Sequence, residues 1–313
     1  MHSSKPSSYV EAVQSKVASP KITIAIPYYK NLKQLKSALE SLINQTCTDW
    51  IAVVLDDLGG EDAEVLVRSF ADARIHYHRN ETNLGLAENW NKGISLAETE
   101  LVTLFHADDQ LMPNYIEVML QLMERYPEAA AGHCRAKVIS ESGEKYWSLQ
   151  DEIKKLIRPR NRGDIVTAGE AGLNSIFCGS WIFYPTLCYR KTKVSGYKFQ
   201  RNWKFIVDID FMSQILLDGG SFVGSSITAY EYRRHKNNQT AILTKSLLRF
   251  QEEFHFLDQL KPRLMSLNWK RSVRKSKIRM IPRLHLMYEA TKYLLQKDFS
   301  MVRETSLMAL RGR

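Results

Sequence analysis

The feature that most constrains this chain is an alternation of two hydrophobic periods across residues 21–139. Short apolar, β-branched runs at 22–26, 50–55, 74–78, 101–105 and 129–139 read as strands. Between them, apolar residues recur every three or four positions, as Leu32, Leu35, Leu39, Leu42 and Ile43 do. That spacing predicts helices there, over 62–70, over 83–97 and from Pro113 to about 126. Trp90 and Ile94 mark the apolar face of the third helix, and Gly93 lets it approach its neighbours closely. The resulting order β-α-β-α-β-α-β-α-β predicts an α/β fold, with a mostly parallel sheet flanked by helices.

Two of these strands end in paired acids. Residues 50–55 run into Asp56 and Asp57, and residues 101–105 lead through His106 and Ala107 to Asp108 and Asp109. In open α/β sheets ligands bind outside the carboxyl ends of the strands. Two adjacent carboxylates repel each other unless a cation or solvent intervenes. A hard divalent cation shared with a diphosphate satisfies such a pair. An acidic turn that caps the following helix satisfies it too.

Beyond Ser140 the patterning loosens. Residues 157–163 are basic and turn-rich, with Arg158, Arg160 and Arg162, and residues 176–190 are rich in aromatics, including Trp181, Phe183 and Tyr184. Those arginines suit phosphate oxygens or simply solvent, and those rings suit a sugar platform or core packing. A helix is expected over 205–217, carrying Asp208 and Asp210, and a strand over 222–232. From Ser246 the chain reads as helical, basic and amphipathic. Residues 245–313 hold 16 Lys/Arg against 6 Asp/Glu, which matches the +10 of the whole 313-residue chain. The expected organisation is therefore a disordered lead (1–20), an α/β domain (21–240, divided at 139/140) and a basic helical C-terminal extension (241–313).

No apolar run reaches the length of a membrane span, and the N-terminus lacks the apolar stretch of a secretory signal. The four cysteines lie far apart, with no Cys-x-x-Cys pair, so neither a zinc site nor a redox motif is indicated. These points lead to an expected cytoplasmic location.

Taken together, Lys21-Ile-Thr-Ile-Ala-Ile-Pro-Tyr-Tyr-Lys30, Val53-Val-Leu-Asp-Asp-Leu-Gly-Gly60, Asn83-Leu-Gly-Leu-Ala-Glu-Asn89, His106-Ala-Asp-Asp109, Val207-Asp-Ile-Asp-Phe211 and Tyr232-Arg-Arg-His235 resemble the motifs of the family 2 glycosyltransferases. The resemblance spans roughly residues 21–240. It departs at Lys30, where the family has Asn, and at Leu58-Gly59-Gly60, where the family has Gly-Ser. It implies a GT-A (Rossmann-like) fold and an inverting transfer from a nucleoside-diphosphate sugar, with a UDP-sugar as the expected donor, helped by Mn²⁺ or Mg²⁺. By that resemblance Tyr29 stacks on the base and Pro27 contributes backbone contacts. Asp57 accepts from the uracil N–H, Asp108 serves the ribose, and Asn89 reaches the phosphates. Asp109 ligates the metal, with His235 as a further ligand or an ordinary surface histidine. Asp208 is the general base. The implied partners are a nucleotide-sugar donor and a glycan or lipid-linked acceptor.

The basic tail leaves two readings open, a helix lying on an anionic membrane surface and a solvated face packed on the domain. Two rival functions also stand beside the enzyme. One is a sugar-nucleotide-binding protein without catalysis. The other is nucleic-acid binding through the tail, against which stand the missing nucleic-acid module and the acids on the sheet edge.

Overall fold

The computed structural model describes residues 19–60, 62–147, 152, 156–159, 163–177, 179, 181–234 and 239–312. Nearly all of the expected lead, together with Arg160, Arg162 and His235, lies outside them.

The alternation folds as its periods dictate. Strand β1 (Ile22–Tyr28) is followed by α1 (Leu32–Ile43), β2 (Trp50–Asp56), α2 (Ala63–Ser69), β3 (Ile75–Arg79), α3 (Leu86–Leu96) and β4 (Leu101–Leu104). Then come the two-residue β5 (Gln110–Leu111), α4 (Tyr115–Arg125) and β6 (Ala131–Ile139). Pro113 does not open α4; the helix starts after Asn114, and the Pro113 carbonyl instead accepts from the Thr46 backbone N–H at 2.8 Å. The second half holds β7 (Ile165–Ala168), α5 (Gly169–Phe177), a 3₁₀ turn (Tyr184–Thr186), β8 (Cys188–Arg190), α6 (Lys191–Val194), α7 (Val207–Leu217) and β9 (Ser221–Arg233). Helices α8 (Gln239–Lys245), α9 (Leu248–Ser266), α10 (Lys270–Ile278), α11 (Met280–Leu295) and α12 (Phe299–Arg311) complete the described chain.

The strands form one sheet in the order β3-β2-β1-β4-β8-β6-β9-β5, with β7 also paired to β9. The first four run parallel, as the alternation requires. The antiparallel pairs all involve short strands, β5 of the first half and β7 and β8 of the loosely patterned part. The chain runs β1→β2→β3 to one side and then crosses to place β4 on the other side of β1. The carboxyl ends of β1 and β4 therefore flank a topological switch point, where such sheets open a ligand crevice.

Helices bury their stripes on both faces of the sheet. α1 turns Leu35, Ala38, Leu39 and Leu42 inward. α3 comes close because Gly93 has no side chain: a Cβ there would stand 3.0 Å from Leu55 and Leu104 and 3.2 Å from Ala25. The C-terminal helices are packed on this body. Phe256, Leu260 and Leu264 of α9 belong to the same buried cluster as Phe211 and Ile215 of α7. A smaller cluster joins Phe250 and Phe254 of α9 to Leu286 of α11 and Met308 of α12.

Candidate active site

The switch point gathers the ends of three parallel strands. β1 delivers Tyr29, whose ring is 49% exposed and has the Lys30 ammonium 4.9 Å from its centre. Beside it, β2 delivers Asp56 and Asp57. Gly59 lies so close to the Tyr29 carbonyl that a Cβ would sit 1.1 Å from its oxygen. Only glycine lets the loop after β2 pass there. Pro27 lies opposite Leu55 in the β1–β2 register, partly buried.

Both acids after β2 are buried and engaged. Asp56 accepts from the Tyr77 hydroxyl at 2.6 Å and from the Gly59 N–H at 3.2 Å. Burial and this contact raise the Tyr77 pKa above its usual range. Asp57 accepts from Asn80 Nδ2 at 2.8 Å, from the Leu84 N–H at 2.7 Å and from the Gly85 N–H at 2.8 Å. It thus holds the loop that enters α3, where Gly85 sits at φ 76° and supplies no side-chain cap of its own. An ionised carboxylate has about four acceptor positions, so one remains. Asn89 is buried in the same network: it donates to the Leu55 carbonyl at 3.1 Å and accepts from Asn80 at 3.0 Å. The remaining Asn80 oxygen, Oδ1, is buried without a hydrogen-bond partner.

β4 delivers the second acidic turn. Ligand atoms of His106, Asp108 and Asp109 all lie within 4.8 Å of one another. Asp109 is buried, and β9 grips it: the Tyr230 hydroxyl donates to one oxygen at 2.9 Å and the Arg233 N–H to the other at 2.7 Å. The Arg233 side chain donates to the Asp108 carbonyl at 2.7 Å and to the carbonyls of Ser140 and Glu141 at 3.1 and 3.0 Å. Burial, and next the neighbouring Asp108 charge, push the Asp109 carboxyl well above the usual carboxylate range. Burial pulls the His106 imidazole down, so it is neutral, and its Nε2 is buried with no hydrogen-bond partner. One imidazole and two carboxylates gathered in this way form a donor set that suits a small divalent cation.

Asp208 reaches this edge from the second half. It is the second residue of α7 and partly buried. Its charge lies near enough to raise the pKa of the buried Tyr184 and Tyr189 phenols, on which burial itself acts most. Tyr184 stacks on Trp90 at 4.8 Å, and Trp90 stacks on His106 at 5.4 Å between ring centres. The two acidic centres thus share one aromatic wall. Asp210, two residues on, instead accepts from Gln214 at 2.8 Å, and burial raises its pKa.

Several residues that hold this arrangement escape a reading of the sequence. Glu252 of α9 accepts from the backbone N–H groups of Lys204 (2.9 Å), Phe205 (2.7 Å) and Ile206 (3.2 Å), immediately before α7. Asn91 of α3 exchanges two hydrogen bonds with the Phe199 backbone, at 3.0 and 2.9 Å. Arg233 carried a signal, its place in the Tyr-Arg-x-His motif; Glu252 and Asn91 carried none. Of the aromatic candidates, Trp181 and Tyr184 are buried in the core. Arg158 donates to the Ser225 carbonyl at 2.9 Å.

Comparison with known proteins agrees with this architecture. An uncharacterized protein of Mycobacterium tuberculosis is 27% identical over 210 residues, which is 64% of this chain and 63% of that one. An uncharacterized glycosyltransferase of Methanocaldococcus jannaschii is 31% identical over 109 residues, 34% of this chain and 38% of that one. The chain thus matches less than two thirds of the length of these relatives. Residues 1–349 of Staphylococcus aureus TarS, crystallised with UDP-GlcNAc, superpose with a TM-score of 0.58 at 15% identity, covering 94% of this chain and 92% of that one. The fold is accordingly the GT-A α/β fold. Residues 23–186, just over half of the chain, match the family model described as glycosyl transferase family 2. With its acidic strand ends at the switch point, the chain belongs to the family 2 glycosyltransferases.

Proposed function

We propose that this protein transfers a sugar from a nucleoside diphosphate, uridine diphosphate in the first instance, to an acceptor hydroxyl with inversion at the anomeric carbon. The observation that carries the reading is the pair of acidic strand ends, the Asp57 loop after β2 and the His106–Asp109 turn after β4, on either side of β1. In this reading the half-exposed Tyr29 ring stacks on the base, next to Pro27. Asp57 fixes the α3 entry and offers its remaining lone pair to an imide N–H. Asn89 supports that loop from inside rather than touching phosphate. Asp108 serves the ribose.

Asp109 and His106, with His235 from beyond the described residues, would hold Mn²⁺ or Mg²⁺. Such a cation neutralises charge on a departing diphosphate. The chain's own part in the chemistry falls to Asp208. It takes the proton of the acceptor hydroxyl as the acceptor oxygen bonds to the anomeric carbon and the bond to the diphosphate oxygen breaks. The acceptor is a glycan or a lipid-linked sugar, in the synthesis of a polysaccharide or glycolipid. The UDP-GlcNAc in the S. aureus TarS crystal supports a UDP-linked donor.

A panel of nucleotide sugars tests the proposal. One donor should raise the melting temperature and be consumed in the presence of Mn²⁺. Asp208→Asn should bind it equally well but turn it over far more slowly. If no nucleotide sugar shifts melting, the reading fails. If binding occurs while the wild-type chain and Asp208→Asn are equally inert with every acceptor, the protein is a binder and not an enzyme.

A further inference from the structure

Helix α11 buries Pro282, Leu286 and Ala290 and also turns a broad apolar stripe outward. On a 3.6-residue period, Leu294, Met287, Met280, Leu284, Leu295 and Tyr288, with Ile281 at the edge, fall within one arc of about 140°. All of them are exposed, from 37% at Ile281 to 85% at Leu295. Thr291 is the one polar residue that the same period places within the arc. The inward side is already occupied: Pro282, Leu286 and Ala290 are buried there together with polar groups. Glu289 is 6% exposed and ion-paired with Lys292 at 2.7 Å, and His285 stands 3.5 Å from it. A helix on a globular surface ordinarily turns its apolar stripe inward. This one has its inward contacts made, by Leu286 against Phe250 and Phe254, and still presents a second stripe to the outside.

Charge decides what fits that stripe. Arg283 and Lys292 fall on the two borders of the arc by the same period. α10 ends just before α11 and exposes Arg271, Arg274 and Lys277. Residues 268–313 hold 12 Lys/Arg against 3 Asp/Glu, a surplus of nine positive charges. Two copies of so basic a surface repel each other. An apolar stripe bordered by long cationic side chains instead matches a lipid interface, where the stripe enters the acyl boundary and the cations reach the headgroups.

We propose that the exposed face of α11, with the basic residues of α10, docks the protein onto an anionic phospholipid bilayer as a peripheral, non-spanning contact. No helix of the described chain is long and apolar enough to cross one. The contact is independent of the transfer chemistry proposed above. It would hold the enzyme at a surface where a lipid-linked acceptor is confined.

The test is flotation of the full chain with vesicles of phosphatidylglycerol and phosphatidylcholine against vesicles of phosphatidylcholine alone, with UDP binding measured on the same samples. Binding should favour the anionic vesicles at least tenfold and weaken with salt, since each Lys or Arg near such a surface is worth about fivefold in partitioning. The triple variant Leu284→Ser/Met287→Ser/Leu295→Ser alters only exposed side chains. It should lose most of the binding with unchanged melting and UDP affinity. Arg271→Glu/Arg274→Glu/Lys277→Glu should abolish the preference for anionic lipid. Equal binding to both vesicle types overturns the proposal, as does full binding by the triple variant. So does a dimer in vesicle-free solution that the triple variant dissolves while vesicles bind nothing, because a second copy would then cover the face.

Discussion

Glu252 offers the sharpest test of how the fold sets up the proposed chemistry. Its carboxylate comes from α9, yet it caps α7, the helix that carries Asp208. Three consecutive backbone N–H groups point at it, those of Lys204, Phe205 and Ile206, at 2.7 to 3.2 Å. Ile206 is the N-cap of α7 and supplies no side-chain cap of its own. In Glu252→Ala all three donors lose their partner. Hydrogen bonds to a charged group are worth about 1.5–3 kcal/mol each, and water can partly replace the two less buried ones. The net loss should be about 3–5 kcal/mol, a fall in melting temperature on the order of 5–8 °C.

Destabilisation alone does not identify a positioning role, so the kinetic split matters. The proposed donor site lies on β1, β2 and β4, whereas the Glu252 hydrogen bonds go to residues 204–206. UDP affinity in Glu252→Ala should therefore stay within about twofold, while kcat falls by about tenfold or more as Asp208 loses its fixed place. Glu252→Gln keeps one oxygen for the donors and should recover part of both losses. If kcat at a temperature where the variant is folded equals that of the wild type, α9 does not position Asp208. If UDP affinity and kcat fall together, the damage is global and the positioning argument is wrong.

Three further outcomes follow from the site. Arg233→Lys cannot span the carbonyls of Asp108, Ser140 and Glu141 with one ammonium; it should cost about 2–4 kcal/mol by loss of charged hydrogen bonds and depress turnover, measured by melting and by donor consumption. Chelation should stop turnover, and Asp109→Asn should keep its melting temperature, because an amide can still accept from the Arg233 N–H and donate to the Tyr230 oxygen. Its Mn²⁺ requirement should rise about tenfold, a shift of about 1.4 kcal/mol, and an unchanged Mn²⁺ titration would exclude Asp109 as a ligand. Burial, with the nearby Arg158 charge, lowers the His133 pKa from 6.5 to about 3. The unfolded chain therefore binds the extra proton between those values, and stability is lost as pH falls through that window. From pH 7 to pH 5 the loss from this group is about 2 kcal/mol, and His133→Asn should flatten that part of the melting profile.

The parallel half of the fold was legible because β1 and β4, and most of β2, are buried on both faces and the helices on one, so the two periods stand out in the sequence. The boundaries shifted where a local backbone partner intervened, as at Pro113, whose carbonyl serves Thr46. β8 was hidden among the aromatics of residues 176–190, and β7 in the loosely patterned stretch before them. They are three or four residues long, too short to show a period. The sequence also set Asp56, Asp57, Asp108 and Asp109 apart as a group without distinguishing their environments. Which acid is gripped by backbone N–H groups depends on loops and strands tens of residues away.

Those environments recast the question of cap against ligand site. Asp57 does cap a helix entry, that of α3, through the Leu84 and Gly85 N–H groups. Asp109 bonds to a strand, β9, and not to the helix that follows it. A carboxylate used only to fix a strand would be more stable if its charge were matched. Here the hydrogen-bond donors are one phenol and one backbone N–H, the Arg233 charge offsets only part of the cost of burial, Asp108 adds a second negative charge, and the His106 Nε2 is buried without a partner. Burying charge without a counter-charge is costly. Asp109 is thus under-compensated as a purely structural device, whereas Asp57 is held by three donors with one acceptor position left over. That contrast supports assigning the cation to the second acid pair and the base contact to the first.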